Sequence, residues 1–417
     1  MNFIDLFAGA GGLSEGFIRA GFNPVAHVEM DKAACNTMTT RAAYYHLKKA
    51  DKFEIYTEYL KNKISRSELY SSIPENEKKS VINLPIGGDN NQIIFDRIDK
   101  LRGKKQIDLI IGGPPCQAYS VVGRSRDANR MKEDARNYLY VEYAKFLEHF
   151  KPRVFVFENV IGLKSAKTKT GESYLDLMID LFKEKGYHTE YKVLDARNFG
   201  VLQNRRRVIL IGKLNGEPGF YPDFEKVDYK VKVSEILSDL PKLNAGEGKY
   251  YDTRYKMYNG NYLYDVKIRN GLDFTTQHIA RPHTEQDKGI YKLAIENWEQ
   301  GKRLDYNDIP ENWQTHKNKK SFVDRFKVVA ANLPYSQTVV AHICKDGHYY
   351  IHPDKNQNRS LTPREAARLQ TFPDDFFFEG VSEKESRTAA YKQIGNAVPP
   401  LMAEGIAKRI KEKMLNE

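Results

Sequence analysis

At 417 residues and 41% hydrophobic content the chain can bury one large core and still carry a second, smaller domain. Lys and Arg total 66 against 55 Asp and Glu, a formal net charge of +11 that favours a polyanionic partner, although a solvated basic surface gives the same count. The opening MNFIDLFAGAGG carries neither a basic leader nor a long apolar run, so no secretion and no membrane association are expected. Cys35, Cys116 and Cys344 stand far apart, which argues against a disulfide framework or a cysteine-rich zinc site. His278 and His283 lack a third ligand nearby, so no metal is expected.

Short apolar runs recur through the first half, at Phe3 to Phe7, Val25 to Val28, Ile107 to Ile111 and Val154 to Phe157, and read as buried parallel strands. Between them lie segments of helical spacing, Tyr138 to Phe150 and Tyr174 to Phe182. The alternation predicts an α/β fold with a doubly wound, mostly parallel sheet, and a further strand is expected at Arg207 to Gly212. Residues 36–87 read as a polar insertion of helical character.

From about residue 215 to about 358 periodicity fades and Tyr, Lys, Gly and Asn become frequent. The interleaved Lys249, Tyr250, Tyr251, Arg254, Tyr255, Lys256 and Tyr258 would suit contacts to phosphates and bases, or equally a small domain that buries its tyrosines. The expected division is a catalytic domain over 1–214, an irregular target-recognition domain over 215–385, and a helical segment over 386–417 that returns to the first domain.

Each early strand is followed by a conspicuous residue or loop: Gly9 to Gly12, Glu29, Gly112 to Cys116, and Glu158. In doubly wound sheets ligands bind beyond the carboxyl ends of the strands, so these four features should converge. The glycines of DLFAGAGG permit a tight turn and close backbone approach to a ligand, and Glu29 stands where a carboxylate can bind ribose hydroxyls. No Walker lysine follows the loop. In GGPPCQAYS two prolines stiffen the backbone before Cys116, which suits a presented nucleophile better than a packed core thiol. In QNRRR three adjacent cations precede a strand, and alternation would put Arg205 and Arg207 on one face.

In chain order these segments, DLFAGAGG, VEMD, GGPPCQAYS, ENV, QNRRR, RSLTPREAARLQTFPDDF and QIGNAVPP, resemble the motif series of the DNA cytosine-5 methyltransferases. The resemblance implies S-adenosylmethionine as cofactor and double-stranded DNA as partner, in a monomeric, cytoplasmic (in a prokaryote, nucleoid-associated) modification enzyme that a separate restriction endonuclease can accompany. It implies Cys116 as nucleophile, Glu158 on the Watson–Crick edge of the target cytosine, and Arg205 and Arg207 supporting the base and that acid. Cofactor contacts are implied for Phe7, Gly9, Gly11, Glu29, Met30, Asp89, Pro114 and Asn396. Met30 stands where some members place an aromatic against adenine, and GGDNN around Asp89 matches only in part.

Carbon 5 of cytosine is a poor nucleophile, and addition of a thiolate at carbon 6 raises its electron density, dividing one difficult step into easier ones. Stacking in a duplex hides the ring face, so the base must be flipped out, and the loop with Gly123, Arg124, Ser125, Arg126 and Asp134 to Arg136 is the expected cover. A methylase of exocyclic amino groups would carry an aromatic where Cys116 stands. A transfer-RNA methyltransferase and a non-catalytic DNA-binding relative are the remaining alternatives.

Overall fold

The computed structural model describes residues 1–115, 138–315 and 323–415. Seven strands form the central sheet: β1 (Asn2–Leu6), β2 (Asn23–Glu29), β3 (Val81–Asn83), β4 (Leu109–Gly112), β5 (Val154–Asn159), β6 (Tyr187–Asp195) and β7 (Arg206–Leu214). Their order is β3-β2-β1-β4-β5-β7-β6. β1 to β5 pair in parallel, while β7 runs antiparallel to both β5 and β6. This is the doubly wound, mostly parallel α/β sheet expected from the alternation of runs.

The strands read as continuous apolar runs because both faces are covered. Ile4, Leu6, Phe155, Phe157, Val208 and Leu210 meet one core with α6 (Asn90–Arg102) and the helices Leu139–Phe150 and Tyr174–Glu184. Phe3, Val154, Val156, Ile209 and Ile211 meet the other with α1 (Gly12–Arg19) and the helix Pro400–Ile410. Each fully buried Phe or Leu contributes roughly 1.5–3 kcal/mol, so the two cores together fix the sheet. α1 and the Pro400–Ile410 helix approach so closely that a methyl on Gly16 would lie 2.4 Å from Ala403 Cβ. Arg19 and Glu404 close that contact with an ion pair of 2.8 Å.

The stretch 36–87 is more integral than its polarity suggests. α2 (Lys32–Lys49) is the crossover helix after β2, capped by the Asp31 carboxylate, and β3 is an edge strand of the sheet itself. α3 (Phe53–Leu60) and α4 (Arg66–Ser71) then pack Tyr56, Tyr59 and Leu69 against Tyr250, Phe274 and Phe377 from the second half of the chain. Tyr59 and Thr40 donate to the Glu379 carboxylate, and Arg66 donates to the carbonyls of Gly380 and Val381. Polar surface made this segment look like an addition; its buried tyrosines make it a brace.

Beyond Leu214 the elements are short, and two two-stranded sheets pair Thr253–Arg254 with Phe274–Thr275 and Gly248–Lys249 with His278–Ile279. Of the interleaved tyrosines, Tyr250 is buried in the brace, and Tyr255 donates to Asp374 with its ring 3.5 Å below the Arg269 guanidinium. These rings pack the domain instead of facing outward. Arg359, Arg364 and Arg368 of the RSLTPREAARLQTFPDDF segment are wholly buried, Arg368 between Asp239 and Asp374 at 2.5 Å each. That segment is scaffold. The helix Arg387–Asn396 follows and packs on that segment, and Pro400–Ile410 then lies against α1 in the second core of the sheet.

Candidate active site

β1 lies between β2 and β4, where the winding of the sheet reverses, and its carboxyl end opens the crevice in which such folds bind ligands. The chain leaves β1 through Phe7 at φ 56, Gly9 at φ 55 and Gly11 at φ 75. Left-handed backbone costs a non-glycine residue about 1–2 kcal/mol, so Phe7 is held there by its neighbours: Ala8 N–H donates to the Val28 carbonyl and Gly11 N–H to the Ala8 carbonyl. The space a Gly9 side chain would enter is open to 4 Å. A turn of this kind presents backbone to a ligand.

Glu29 ends β2 beside that turn. Its Oε2 accepts from Gly9 N–H at 2.8 Å and its Oε1 from Asp31 N–H at 2.8 Å. Each oxygen keeps a lone pair for a hydroxyl. The carboxylate is therefore fixed before any ligand arrives. Met30, 67% exposed, follows at the rim. Asn83 at the end of β3 donates to the carbonyls of Glu29 and Met30 and holds this edge. Asp89 stands exposed at the start of α6, shortly past β3.

Asn396 ends its helix exposed, and the strand-like segment behind it passes so near α1 that a methyl on Gly12 would fall 2.4 Å from the Val398 carbonyl. Phe7, Gly9, Gly11, Glu29, Met30, Asp89, Pro114 and Asn396 thus lie along one end of the sheet. Sequence reading missed Lys392, one turn before Asn396, which pairs with Asp31 at 2.7 Å and bridges the two sides of the crevice. Partial burial opposes ionisation of Asp31, but the Lys392 hydrogen bond and charge hold it below its ordinary range.

β4 ends at Gly112, and a methyl there would meet the Leu6 carbonyl at 2.4 Å. Gly113 is crowded in another way: its added methyl would lie 2.6 Å from Glu158 Oε2. The two glycines are needed because the chain passes directly over β1 and then over the Glu158 side chain. Pro114 is buried, and its carbonyl accepts from Asn159 Nδ2 at 3.4 Å. Asn159, 1% exposed, also receives the Val160 N–H, so it ties β5 to the segment leading to Cys116. The only sequence sign of this task was an amide next to Glu158 at a strand end. Cys116 itself, with the loop from Gly123 to Arg136, lies outside the described residues.

Glu158 is paired with Arg207, whose Nε approaches Oε1 to 2.6 Å, with 13% and 15% of the two side chains exposed. β5 and β7 bring them together: Glu158 registers with Ile209, two residues along from Arg207 on the same face. Arg205 is held by other groups. It is fully buried, and its guanidinium donates to the Val339 carbonyl at 2.7 Å and the Ala397 carbonyl at 2.7 Å. It joins three parts of the chain and does not reach Glu158 through any of these bonds. Sequence alternation assumed that the strand already ran through Arg205, whereas β7 begins at Arg206.

His278 and His283, weighed above as a metal pair, are engaged by protein groups: His278 by Thr362 and the Pro241 carbonyl, His283 by Ser360.

Comparison with known proteins decides the family. The profile of the C-5 cytosine-specific DNA methylases matches residues 1–68 and 83–412. The chain belongs to that family. It is 43% identical to the type II methyltransferase M.Bpa9945I of Bacillus paralicheniformis, with 99% of each chain covered. It is 32% identical to the type II methyltransferase M.DdeI of Desulfomicrobium norvegicum, over 98% of this chain and 88% of the relative. A solved structure described as a prophage-encoded DNA modification methyltransferase of E. coli shares the fold, with a TM-score of 0.65 at 23% identity over the whole of both chains. A second, the Entamoeba histolytica methyltransferase EhMeth, superposes with a TM-score of 0.56 at 15% identity over 99% of this chain and 98% of its own. The unmatched residues 69–82 fall around α5 (Glu75–Lys79) and the start of β3, while α3 lies within the matched part.

Proposed function

We propose that this C-5 cytosine DNA methylase uses S-adenosylmethionine to methylate carbon 5 of one cytosine within a specific duplex sequence, as the modification partner in a type II restriction–modification system. The observation that carries the reading is that the turn after β1 with Glu29, the Gly113–Pro114 segment and the Glu158–Arg207 pair all lie at one end of one sheet. A preset diol acceptor and an open backbone turn fit a nucleoside-bearing cofactor. When bound, that cofactor supplies an activated methyl group on sulfur.

The chain's own residues account for the rest. Cys116, at the end of the Gly113–Pro115 segment, adds its sulfur to carbon 6 and leaves electron density at carbon 5. In its protonated form Glu158 donates to ring nitrogen 3 as that charge builds, its hydroxyl proton passing to the ring, and its other oxygen accepts from the exocyclic amine. Arg207 fixes the direction of the carboxylate. Asn159 ties the Pro114 carbonyl to the end of β5. Arg205 keeps the second half of the chain seated against the site. Extruding the cytosine costs a few kcal/mol, which DNA contacts must offset.

The test is tritium transfer from labelled cofactor to duplex DNA and to transfer RNA, followed by bisulfite sequencing to map the site. Label in DNA at carbon 5 is expected, and label in RNA alone would overturn the reading. A duplex with 5-fluorocytosine at the mapped position should form a denaturation-resistant, cofactor-dependent adduct, because fluorine blocks the proton loss that releases the enzyme. Cys116→Ala should bind the duplex and form none. An adduct of equal yield would move the chemistry to another nucleophile.

A further inference from the structure

The three consecutive arginines have three different surroundings, and only two are accounted for. Arg205 is spent on two carbonyls and Arg207 on Glu158. Arg206 is exposed, and among the described residues its guanidinium makes no hydrogen bond or ion pair. Strand alternation sends it to the face opposite Arg207, the face that carries Val208. Its ladder partner on β6 is Asp195, the one carboxylate in register with it. Asp195 is already taken by Arg197, through Nε at 3.0 Å and Nη2 at 2.6 Å. The Arg206 charge therefore has no counter-charge supplied by its own ladder.

Arg206 lines a cleft of about 360 Å³ with Val160, Ile161, Asn204, Arg207 and Thr338. Because β7 is antiparallel to β5, the start of β7 lies at the carboxyl end of β5, next to Glu158. The cleft thus abuts the acid proposed to hold the target base. Its far wall, Thr338, comes from the second half of the chain and is fixed there by a hydrogen bond from its hydroxyl to the Asn204 carbonyl. Exposed Lys164 follows on the Ile161–Ser165 turn. Among the described lining residues there is no carboxylate.

We infer that this cleft seats a backbone phosphate of the DNA strand that carries the target cytosine, with Arg206 as its counter-charge. A phosphate fits because it is the anion that must stand beside a base held at Glu158, and a guanidinium can donate to it through two N–H groups at once. Thr338 on the far wall and Asn204 beside Arg206 complete the polar lining. Such a contact positions the strand without reading sequence. The inference rests on the function proposed above and adds the residue that holds the substrate backbone.

The experiment uses the full chain with S-adenosylhomocysteine and a duplex containing the mapped methylation site. Arg206→Ala should weaken duplex binding about tenfold and lower the slope of log affinity against log salt by about one. Cofactor affinity and melting temperature should not move, and Arg206→Lys should restore part of the affinity and the whole slope. A set of duplexes with one uncharged methylphosphonate each, stepped along the target strand, locates the contact. One linkage near the cytosine should weaken binding by the wild type and not by Arg206→Ala. Equal affinity and slope for the two proteins would overturn the inference, as would equal sensitivity to every linkage, which would reduce Arg206 to diffuse attraction. A wild-type protein that transfers no methyl group to DNA would instead defeat the functional reading, and the two failures are separable.

Discussion

Glu158 and the chain passing over it can be tested through Gly113, a residue that takes no part in bonding. In Gly113→Ala the new methyl would start 2.6 Å from Glu158 Oε2 and 3.1 Å from its carbonyl oxygen, where ordinary contact begins at about 3.4 Å. The carboxylate must therefore retreat by about 0.8 Å, and the 2.6 Å pair with Arg207 must shift with it. Misplacing a catalytic group by about 1 Å costs on the order of 10²-fold in rate, whereas overpacking of this size costs about 1–3 kcal/mol of stability. The expected protein folds, binds cofactor and duplex normally, and transfers methyl about a hundredfold more slowly in single turnover. Glu158→Asp, by shortening the crowded side chain, should cost less in the Gly113→Ala background than in the wild type. A folded Gly113→Ala protein with the wild-type single-turnover rate would show that Glu158 is not held in its working position by this contact.

Glu29→Ala should weaken cofactor binding by an order of magnitude or more in calorimetry. It should also lower the melting temperature, since the Gly9 and Asp31 N–H groups lose an ionised acceptor worth roughly 1.5–3 kcal/mol per bond; unchanged affinity would remove Glu29 from the cofactor site. Arg205→Ala and Arg207→Ala should part company, the first losing several kcal/mol in denaturant unfolding as two buried carbonyls lose their donors, the second losing methyl transfer with little change in stability. Equal stability losses in the two would contradict the division of labour. Burial holds His27, His278, His283 and His352 near a pKa of about 4, so between about pH 6.5 and 4 the unfolded chain binds protons that the folded chain refuses. Their contribution is complete above about pH 6.5 and declines as pH falls, by up to about 1.4 kcal/mol per pH unit for each histidine. Urea unfolding between pH 7.5 and 5 should show that slope, His27→Asn should flatten part of it, and a pH-independent midpoint would mean that these rings are not excluded from protonation.

The sheet was legible because its strands are buried on both faces and each ends in a residue unlike the run before it. Phe3 to Phe7 and Val154 to Phe157 needed no knowledge of their partners to be recognised, since continuous apolar runs of that length have few other uses. Glu29 and Glu158 stood out for the same reason: an acid ending such a run is either functional or expensive. The brace was not legible, because the positions that bury Tyr56 and Tyr59 are spaced among lysines and glutamates that remain in solvent. Its partners, Tyr250 and Phe377, are hundreds of residues away in the chain, and no local period announces a contact of that range. Tyr250 and Tyr255 misled in the opposite direction. Aromatic residues among cations suit a nucleic-acid face and suit a core roofed by guanidinium groups equally well, and burial alone decides.

QNRRR shows the limit most directly. Three identical side chains in a row carry no signal that could assign them different tasks; their surroundings do. Strand alternation would pair Arg205 with Arg207, but that rule applies only once the ladder has begun, and β7 begins between them. Arg205 precedes the ladder, so its side chain is directed by tertiary contacts, to carbonyls of Val339 and Ala397 that only the folded second half supplies. Arg207 is inside the ladder and inherits its direction from the register with β5, which is why it meets Glu158. Arg206 takes the alternate face and is left with a taken carboxylate opposite and a cleft in front. One residue type thus serves as an internal tie, as a guide for the acid, and as a free cation at the site's edge, according to where the first rung of the ladder falls.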